Sequence, residues 1–254
     1  MTVTTLDKAD GVAVLTMNRP AARNAINVEL SQAIADALDD IEADSSIAVT
    51  VLAGAGGTFC AGLDLVAFAN GEWPEIPGRG LAGLTEWEGR TKPIIAAVEG
   101  WALAGGFELA LSCDLIVAAG DARFGLPEVK RGLVAAGGGL LRLPRTLPYQ
   151  LAMELALTGA PIDAATAHHH GMVNAVTEPG GAAAGAVELA RVIAANGPLG
   201  LAASRAIINH VTGWTAAEEF AWQLTVTEPV FASDDAMEGA RAFAEKRPPV
   251  WTGA

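Results

Sequence analysis

The sequence predicts an α/β core with largely parallel strands, followed by a C-terminal helical segment. Three observations point there. Apolar runs of strand length alternate with helical periodicity through the first half of the chain. Those runs are apolar throughout, as strands buried on both faces of a parallel sheet require. Beyond Pro148 helical patterns dominate, interrupted by one short strand near Met172–Val176.

The first strand is Val12–Met17 (VAVLTM), bounded by Gly11 and Asn18. A helix follows, because Leu30, Ala33, Ile34, Ala37, Leu38 and Ile41 fall at helical spacing. Asn27 is its expected N-cap, and Glu29 sits favourably in the first turn. Ile47–Ala53 is the next strand and ends in the glycine-rich Gly54–Gly57. Asn70–Gly83, with Trp73, Pro74 and Pro77, has no period and reads as a surface loop. Pro93–Val98 is a third strand; Gly100, Gly105 and Gly106 follow it, then a helix from about Phe107. Leu115–Ala119 is a further strand. In the helical half, Leu189 with Ile193 and Phe220 with Leu224 are i,i+4 apolar pairs. The expected division is an α/β core over residues 1–195 and a helical segment over 196–254.

The 254 residues are 51% apolar and 18% charged, enough for a sizeable core and unlike a disordered chain. A net charge of −13 has the wrong sign for a general nucleic-acid surface or an anionic membrane. Cys60 and Cys113 lie far apart and outside any C-x-x-C arrangement, so a reducing compartment is expected and Cys113 reads as a small core residue. The longest apolar runs, such as Ile94–Val98, are too short to cross a bilayer, and the N-terminus shows no charged leader before an apolar stretch. The expected location is the cytoplasm.

Some chemistries can be set aside. His168, His169 and His170 are consecutive, and neighbours on a helix lie about 100° apart, so they do not converge on one metal ion. No serine occupies a G-x-S-x-G elbow, and the glycines of Ala53–Gly57 do not continue to a Walker lysine. Three segments placed just after predicted strands hold more promise. They are FCAGLDL (Phe59–Leu65), EGWALAGGFELALSCD (Glu99–Asp114) and FGLPEVKRGL (Phe124–Leu133). Taken alone, Glu108 is an ordinary first-turn acid on its helix, and Glu128 an ordinary acid after Pro127.

In this order, and together with NRPAARNA (Asn18–Ala25), LTGAPIDAATA (Leu157–Ala167), SDDAMEG and AFAEKR, these segments resemble the crotonase, or enoyl-CoA hydratase/isomerase, superfamily from Asn18 to the C-terminus. The resemblance implies a crotonase-like spiral of ββα units with a C-terminal helical trimerisation segment. It implies an acyl-CoA substrate and reversible syn hydration of a 2-enoyl-CoA. Coenzyme A is then part of the substrate, and neither a separate cofactor nor a metal is expected. The backbone N–H groups of Leu63 and Gly105 would form an oxyanion hole, and Glu108 and Glu128 would be the acid–base pair. Arg23, Ala61, Asp64 and Lys246 would contact CoA, with Arg247 a further candidate. A homo-trimer or homo-hexamer would be the assembly, to which the large apolar residues Trp214, Phe220, Trp222 and Phe231 also point.

The same resemblance leaves alternatives open: a carnitinyl-CoA dehydratase or racemase-like enzyme, suggested by the wording GFELAL and LRLPRTLP, an enoyl-CoA isomerase, or a non-catalytic acyl-CoA-binding protein. One departure stands out. Family hydratases often have Pro-Gly where this chain has Ala135-Ala136; the Ala136 N–H could still orient water.

Overall fold

A computed structural model describes residues 2–210, 222, 225, 226, 229 and 232–254. Its strands are β1 (Thr4–Ala9), β2 (Val12–Met17), β3 (Val49–Gly54), β4 (Glu75–Ile76), β5 (Gly80–Leu81), β6 (Ile94–Val98), β7 (Trp101–Leu103), β8 (Leu115–Ala119), β9 (Arg123–Gly125), β10 (Ile162–Asp163) and β11 (Ala175–Thr177). Its helices include α1 (Val28–Ala43), α2 (Leu65–Ala69), α3 (Gly105–Ser112), α4 (Gly139–Thr146), α5 (Tyr149–Thr158), α6 (Ala164–His169), α7 (Ala182–Ala194) and α8 (Pro198–His210), with a last helix over Asp234–Glu245.

The main sheet runs β1-β2-β3-β6-β8-β11 and is parallel from β2 onward. Both of its faces are covered, which explains the near-continuous apolar strands. Side chains alternate between two clusters, as strand geometry demands. Val49, Val51, Ile95, Ala97, Val117 and Ala119 face α7, which offers Ala182, Ala186 and Ala190 at i,i+4 spacing. Leu15, Met17, Leu52, Ala96, Val98 and Ile116 face the other way, toward Leu30, Ile34, Leu38 and Ile41 of α1 and Phe107 of α3. Every residue of α3 is buried. A helix enclosed on all sides has no solvated face on which to place a carboxylate, so Glu108 is buried by position.

A small second sheet, β10-β9-β7, carries the segments that end at the cavity described below. Isolated bridges tie Cys60 to Ala102 and Ile26 to Leu63. The α8 helix is anchored to the sheet through Arg205. Asp114 accepts from Arg205 Nε (2.9 Å), from both Nη groups of Arg90 (2.6 and 3.0 Å) and from the Ile94 N–H (2.8 Å).

Several elements differ from the sequence-based expectation. The β1 strand is an exposed edge of the sheet, so TTLDKA lacks an apolar run. Its hairpin is formed by Asp10 and Gly11, both at positive φ, as the favoured two-residue hairpin turn requires. Residues 70–83 are not a plain surface loop. They contain the β4–β5 hairpin, bury Pro74 and Ala82, and receive the Ser31 hydroxyl at the Pro74 carbonyl (2.6 Å). Gly83 lies so close to α1 that a Cβ there would be 2.6 Å from Ala35 Cβ. No described helix is long and apolar enough to cross a membrane. Trp214, Phe220, Leu224 and Phe231 lie outside the described residues.

Candidate active site

The loop of residues 59–65 is held by backbone bonds to three separated segments. Phe59 N–H donates to Glu99 O (2.8 Å), Cys60 N–H to Trp101 O (3.0 Å), Ala61 N–H to Arg23 O (3.0 Å) and Asp64 N–H to Ile26 O (2.9 Å). The Gly62 N–H faces the Cys60 sulfur (3.4 Å). The Leu63 N–H, between them, donates to nothing among the described residues. Gly62 must be glycine: its φ is +97°, and a Cβ would lie 2.6 Å from Ala104 Cβ.

Opposite stands the start of α3, where the first N–H groups of a helix have no partner within it. Gly105 N–H likewise donates to nothing among the described residues. The residue before it, Ala104, has φ 52° and ψ −131°, a region L-residues rarely adopt; Ala104 N–H donating to Gly125 O (2.9 Å) holds it there. Such a residue costs on the order of 1–3 kcal/mol, and it turns the chain so that Gly105 begins the helix facing Leu63. An added Gly105 Cβ would lie 3.8 Å from Leu63 N, so the two N–H groups border one small space. A Cβ on Gly106 would meet the Cys60 carbonyl at 2.3 Å, which fixes the approach of helix to loop.

Glu108 lies in the first turn of α3, and its Oε1 accepts the Gly139 N–H at 2.9 Å. Burial raises its carboxyl pKa, against the opposing pull of the Gly139 and Gly137 N–H groups and the Arg142 guanidinium. Glu128 lies on the 3-10 turn Pro127–Arg131, and its Oε2 is buried without a hydrogen-bond partner among the described residues. Burial pushes its carboxyl up to about 7, and the nearby Glu108 charge adds to the rise. Both glutamates, with Ala61, Leu63 and Gly105, line one cavity of about 210 Å³. Its remaining wall is largely apolar, with Leu65, Phe68, Trp73, Leu81, Leu133 and Val134; Glu75 and Arg131 add charge. Ala136 also lines it, while its neighbour Ala135 is buried.

The other candidates fall elsewhere. Asp64 turns away from the cavity: its carboxylate caps α2 and pairs with Arg19 at 3.1 Å. Arg23 is exposed, with φ 51°, and holds Ala61 through its carbonyl. Lys246 is exposed at the end of the last helix and outside the cavity lining. Arg247 is taken up by Glu238 and Glu245. Three supporting residues have no sequence expectation attached. Arg19 reaches Ala25 O and Asp64, and the buried Asn24 side chain donates to Ala55 O (2.9 Å) and Thr58 O (2.7 Å). Arg142 bridges Gly137 O and Thr85 O. The first two lie within NRPAARNA, where the repeated polar side chains between small residues are the available signal. Burial pushes the Cys60 thiol up to about 12, which leaves it unionised and unreactive. Among the described residues no His/Cys/Asp/Glu group could hold a metal, and His168 bonds the Val173 carbonyl instead.

Known proteins share this arrangement of chain. A family model described as enoyl-CoA hydratase/isomerase matches residues 7–254. Enoyl-CoA hydratase EchA19 of Mycobacterium tuberculosis is 43% identical over 245 residues, which cover 93% of this chain and 91% of that one. A carnitinyl-CoA dehydratase of Salmonella arizonae is 42% identical over 247 residues, 94% of each chain. The crystal structure of enoyl-CoA hydratase EchA1 from Mycobacterium marinum superposes with a TM-score of 0.97 at 56% identity, over 100% of both chains. With its fold and nearly its whole length so matched, the chain belongs to the enoyl-CoA hydratase/isomerase family and is an enzyme with the crotonase fold.

Proposed function

We propose that the protein hydrates 2-enoyl-CoA thioesters reversibly, adding water syn across the double bond. The observation that carries this reading is the cavity itself. Two backbone N–H groups without partners and two carboxyls with raised pKa face the same space. The thioester oxygen would sit between the Leu63 and Gly105 N–H groups, near the positive end of α3. There it would take the negative charge that develops as water attacks the β-carbon. Each donor of this kind contributes roughly 3–4 kcal/mol to transition-state stabilisation.

The two glutamates divide the protons according to their surroundings. Glu108 accepts a backbone N–H and lies in the field of Arg142, both of which favour its ionised form over that of Glu128. Glu128 has a buried oxygen without a partner and a carboxyl near 7, so it is the member of the pair that keeps a proton in a large share of molecules at neutral pH. Glu108 would therefore take a proton from water as its oxygen bonds the β-carbon. The double-bond electrons move toward the thioester oxygen, and Glu128 gives its proton to the α-carbon. Return of a proton from Glu108 to Glu128 resets the site. Coenzyme A enters as part of the substrate. Its nucleotide would be met by Arg23 and, from a neighbouring copy in a trimer or hexamer, by Lys246; Ala61 would border the pantetheine end. The loss of enoyl absorbance when 2-enoyl-CoAs are added tests the reading, and a protein that binds saturated acyl-CoA yet consumes no enoyl-CoA would be a binding protein instead.

A second reading of the acyl group has its own observation. Phe68 and Trp73 lie with ring centroids 5.7 Å apart on the cavity wall, and Glu75, which forms no ion pair among the described residues, lines the same wall. Aromatic faces with a carboxylate suit a quaternary ammonium group, as a carnitinyl thioester carries. The test compares a trimethylammonium-bearing enoyl-CoA with its neutral tert-butyl isostere. Preference for the cation that disappears in Glu75→Gln supports the carnitinyl reading, and preference for the neutral chain excludes it.

A further inference from the structure

Arg142 lies on α4, just beyond three consecutive glycines, and its side chain folds back over them. Nη1 donates to Gly137 O at 3.3 Å, and Nη2 donates to Thr85 O, 57 residues earlier in the chain. Thr85 is itself coupled to the oxyanion side, because its Oγ1 accepts the Leu81 N–H (2.9 Å) and Leu81 Cδ2 lies where a Gly105 side chain would begin.

The glycine turn is a spacer between two opposite charges. A Cβ on Gly137 would be 2.9 Å from Glu108 Oε2, and one on Gly139 would be 2.8 Å from Glu108 Cγ. A Cβ on Gly138, whose φ is +90°, would be 2.2 Å from Arg142 Nη1. Side chains are therefore excluded from the turn on both sides. No Arg142–Glu108 ion pair forms among the described residues. Arg142 spends its donors on carbonyls, while Glu108 takes an N–H from the turn that Arg142 holds. The carboxylate thus keeps the influence of a half-buried cation without surrendering its oxygens to it.

We propose that Arg142 is the positioning residue for Glu108: by clamping the Gly137 and Thr85 carbonyls it fixes the turn whose Gly139 N–H binds Glu108, and it keeps Glu108 the ionised member of the glutamate pair. This rests on the hydration reading. The charges concerned are few. Arg142 acts on Glu108, Glu108 and Arg131 act on Glu128, and Arg142 itself faces Glu108, Arg90, Arg145 and Cys113.

The test uses the full-length enzyme with Arg142→Gln, Arg142→Lys and Gly138→Ala, the last displacing the guanidinium without deleting it. In Arg142→Gln the acid limb of kcat/KM should move up by about one pH unit, the reach of one nearby cation. Below that limb kcat/KM at fixed pH should fall about tenfold. Binding of a saturated acyl-CoA should be unchanged. Arg142→Lys should restore most of the limb position, and Gly138→Ala should shift it as Arg142→Gln does. A readout independent of turnover is the titration of carbon-13-labelled glutamate carboxyls in Glu128→Gln, with the Glu108 signal assigned by its loss in Glu108→Gln. That signal should titrate higher once Arg142→Gln is added. If activity falls while the limb and the Glu108 titration stay in place, Arg142 is only structural and the proposal is overturned. If the titration moves but the wild type hydrates no enoyl-CoA, the effect of Arg142 stands and the hydration reading fails. Should Arg142→Gln not fold, Gly138→Ala and Arg142→Lys decide: no shift in the first, or a shift in the second as large as that in Gly138→Ala, contradicts the proposal.

Discussion

Replacing Gly105 by alanine should silence the enzyme while leaving it folded. The new methyl would lie 2.6 Å from Leu81 Cδ2 and 3.8 Å from Leu63 N. Its nearest contact is the far end of a flexible side chain, and Gly105 needs no left-handed backbone, so the fold can absorb it by moving Leu81. Overpacking of that kind costs about 1–3 kcal/mol of stability. The consequence for chemistry is larger. A carbonyl oxygen must come to roughly 2.7–3.1 Å from each donor, and a methyl between the two N–H groups takes that room. Loss of one such donor costs about 2.7–4 kcal/mol, or 10²-fold to 10³-fold in kcat. The assay is turnover at saturating enoyl-CoA, paired with a thermal melt. Gly106→Ala is the contrasting control. Its Cβ would meet the Cys60 carbonyl at 2.3 Å, and that carbonyl already accepts the Leu103 N–H, so this variant should lose its fold. The decisive control adds Leu81→Ala to Gly105→Ala. If kcat then returns to the level of Leu81→Ala alone, the loss came from a displaced leucine and the oxyanion reasoning is refuted.

The rate should also be bell-shaped in pH. It should fall as pH rises through about 7, where Glu128 loses the proton it must donate, and fall on the acid side as Glu108 is protonated, at a pH above the ordinary carboxylate range. Because the folded pKa of Glu128 is raised, its contribution to stability is present at acid pH and is lost as pH rises through about 7. Glu128→Gln should therefore raise the unfolding free energy, read from urea titrations, by on the order of 1–3 kcal/mol at pH 8 but hardly at pH 5. Asp114→Asn removes the charge that pairs Arg90 and Arg205 and should cost about 3–5 kcal/mol in denaturant unfolding. Asn27→Ala removes the side chain that accepts the Leu30 N–H at the start of α1 and should cost about 1 kcal/mol, read as a lowered melting temperature.

How much of this is legible in the sequence depends on what each residue contacts. VAVLTM and LIVAA read directly as β2 and β8, because both faces of those strands are buried and the flanking residues break the run. The α1 helix is equally legible from its apolar stripe and its Asn27 cap. The start of α3 is read two residues late. Gly105 and Gly106 look like a turn, yet they are glycine because Leu81 and Cys60 leave no space for side chains at the helix start. Strands β7, β9 and β10 have two or three residues each, too few to display a period, and their partners are distant in sequence. The candidate site follows the same division. Glu108, Glu128, Leu63, Gly105 and Ala61 lie within recognisable segments and meet at one cavity. Asp64 lies in the same segment but faces Arg19, since its short side chain is better used to cap α2. Arg142 lies within LRLPRTLP, but its role is invisible to pattern reading because it acts on carbonyls 5 and 57 residues away along the chain.

The most direct test of the proposed chemistry is hydration of a 2-enoyl-CoA by the wild type, Glu108→Gln, Glu128→Gln and the double variant, followed by loss of enoyl absorbance. Glutamine keeps the shape of each side chain, so all four proteins should still bind a saturated acyl-CoA. Each single substitution should lower turnover by about 10²-fold to 10⁴-fold. The double variant should be little worse than the weaker single one, because groups that act on one water fail together. Full activity in Glu108→Gln with none in Glu128→Gln would contradict a shared water and favour a one-base isomerisation, and full activity in both would remove the glutamate pair from the mechanism.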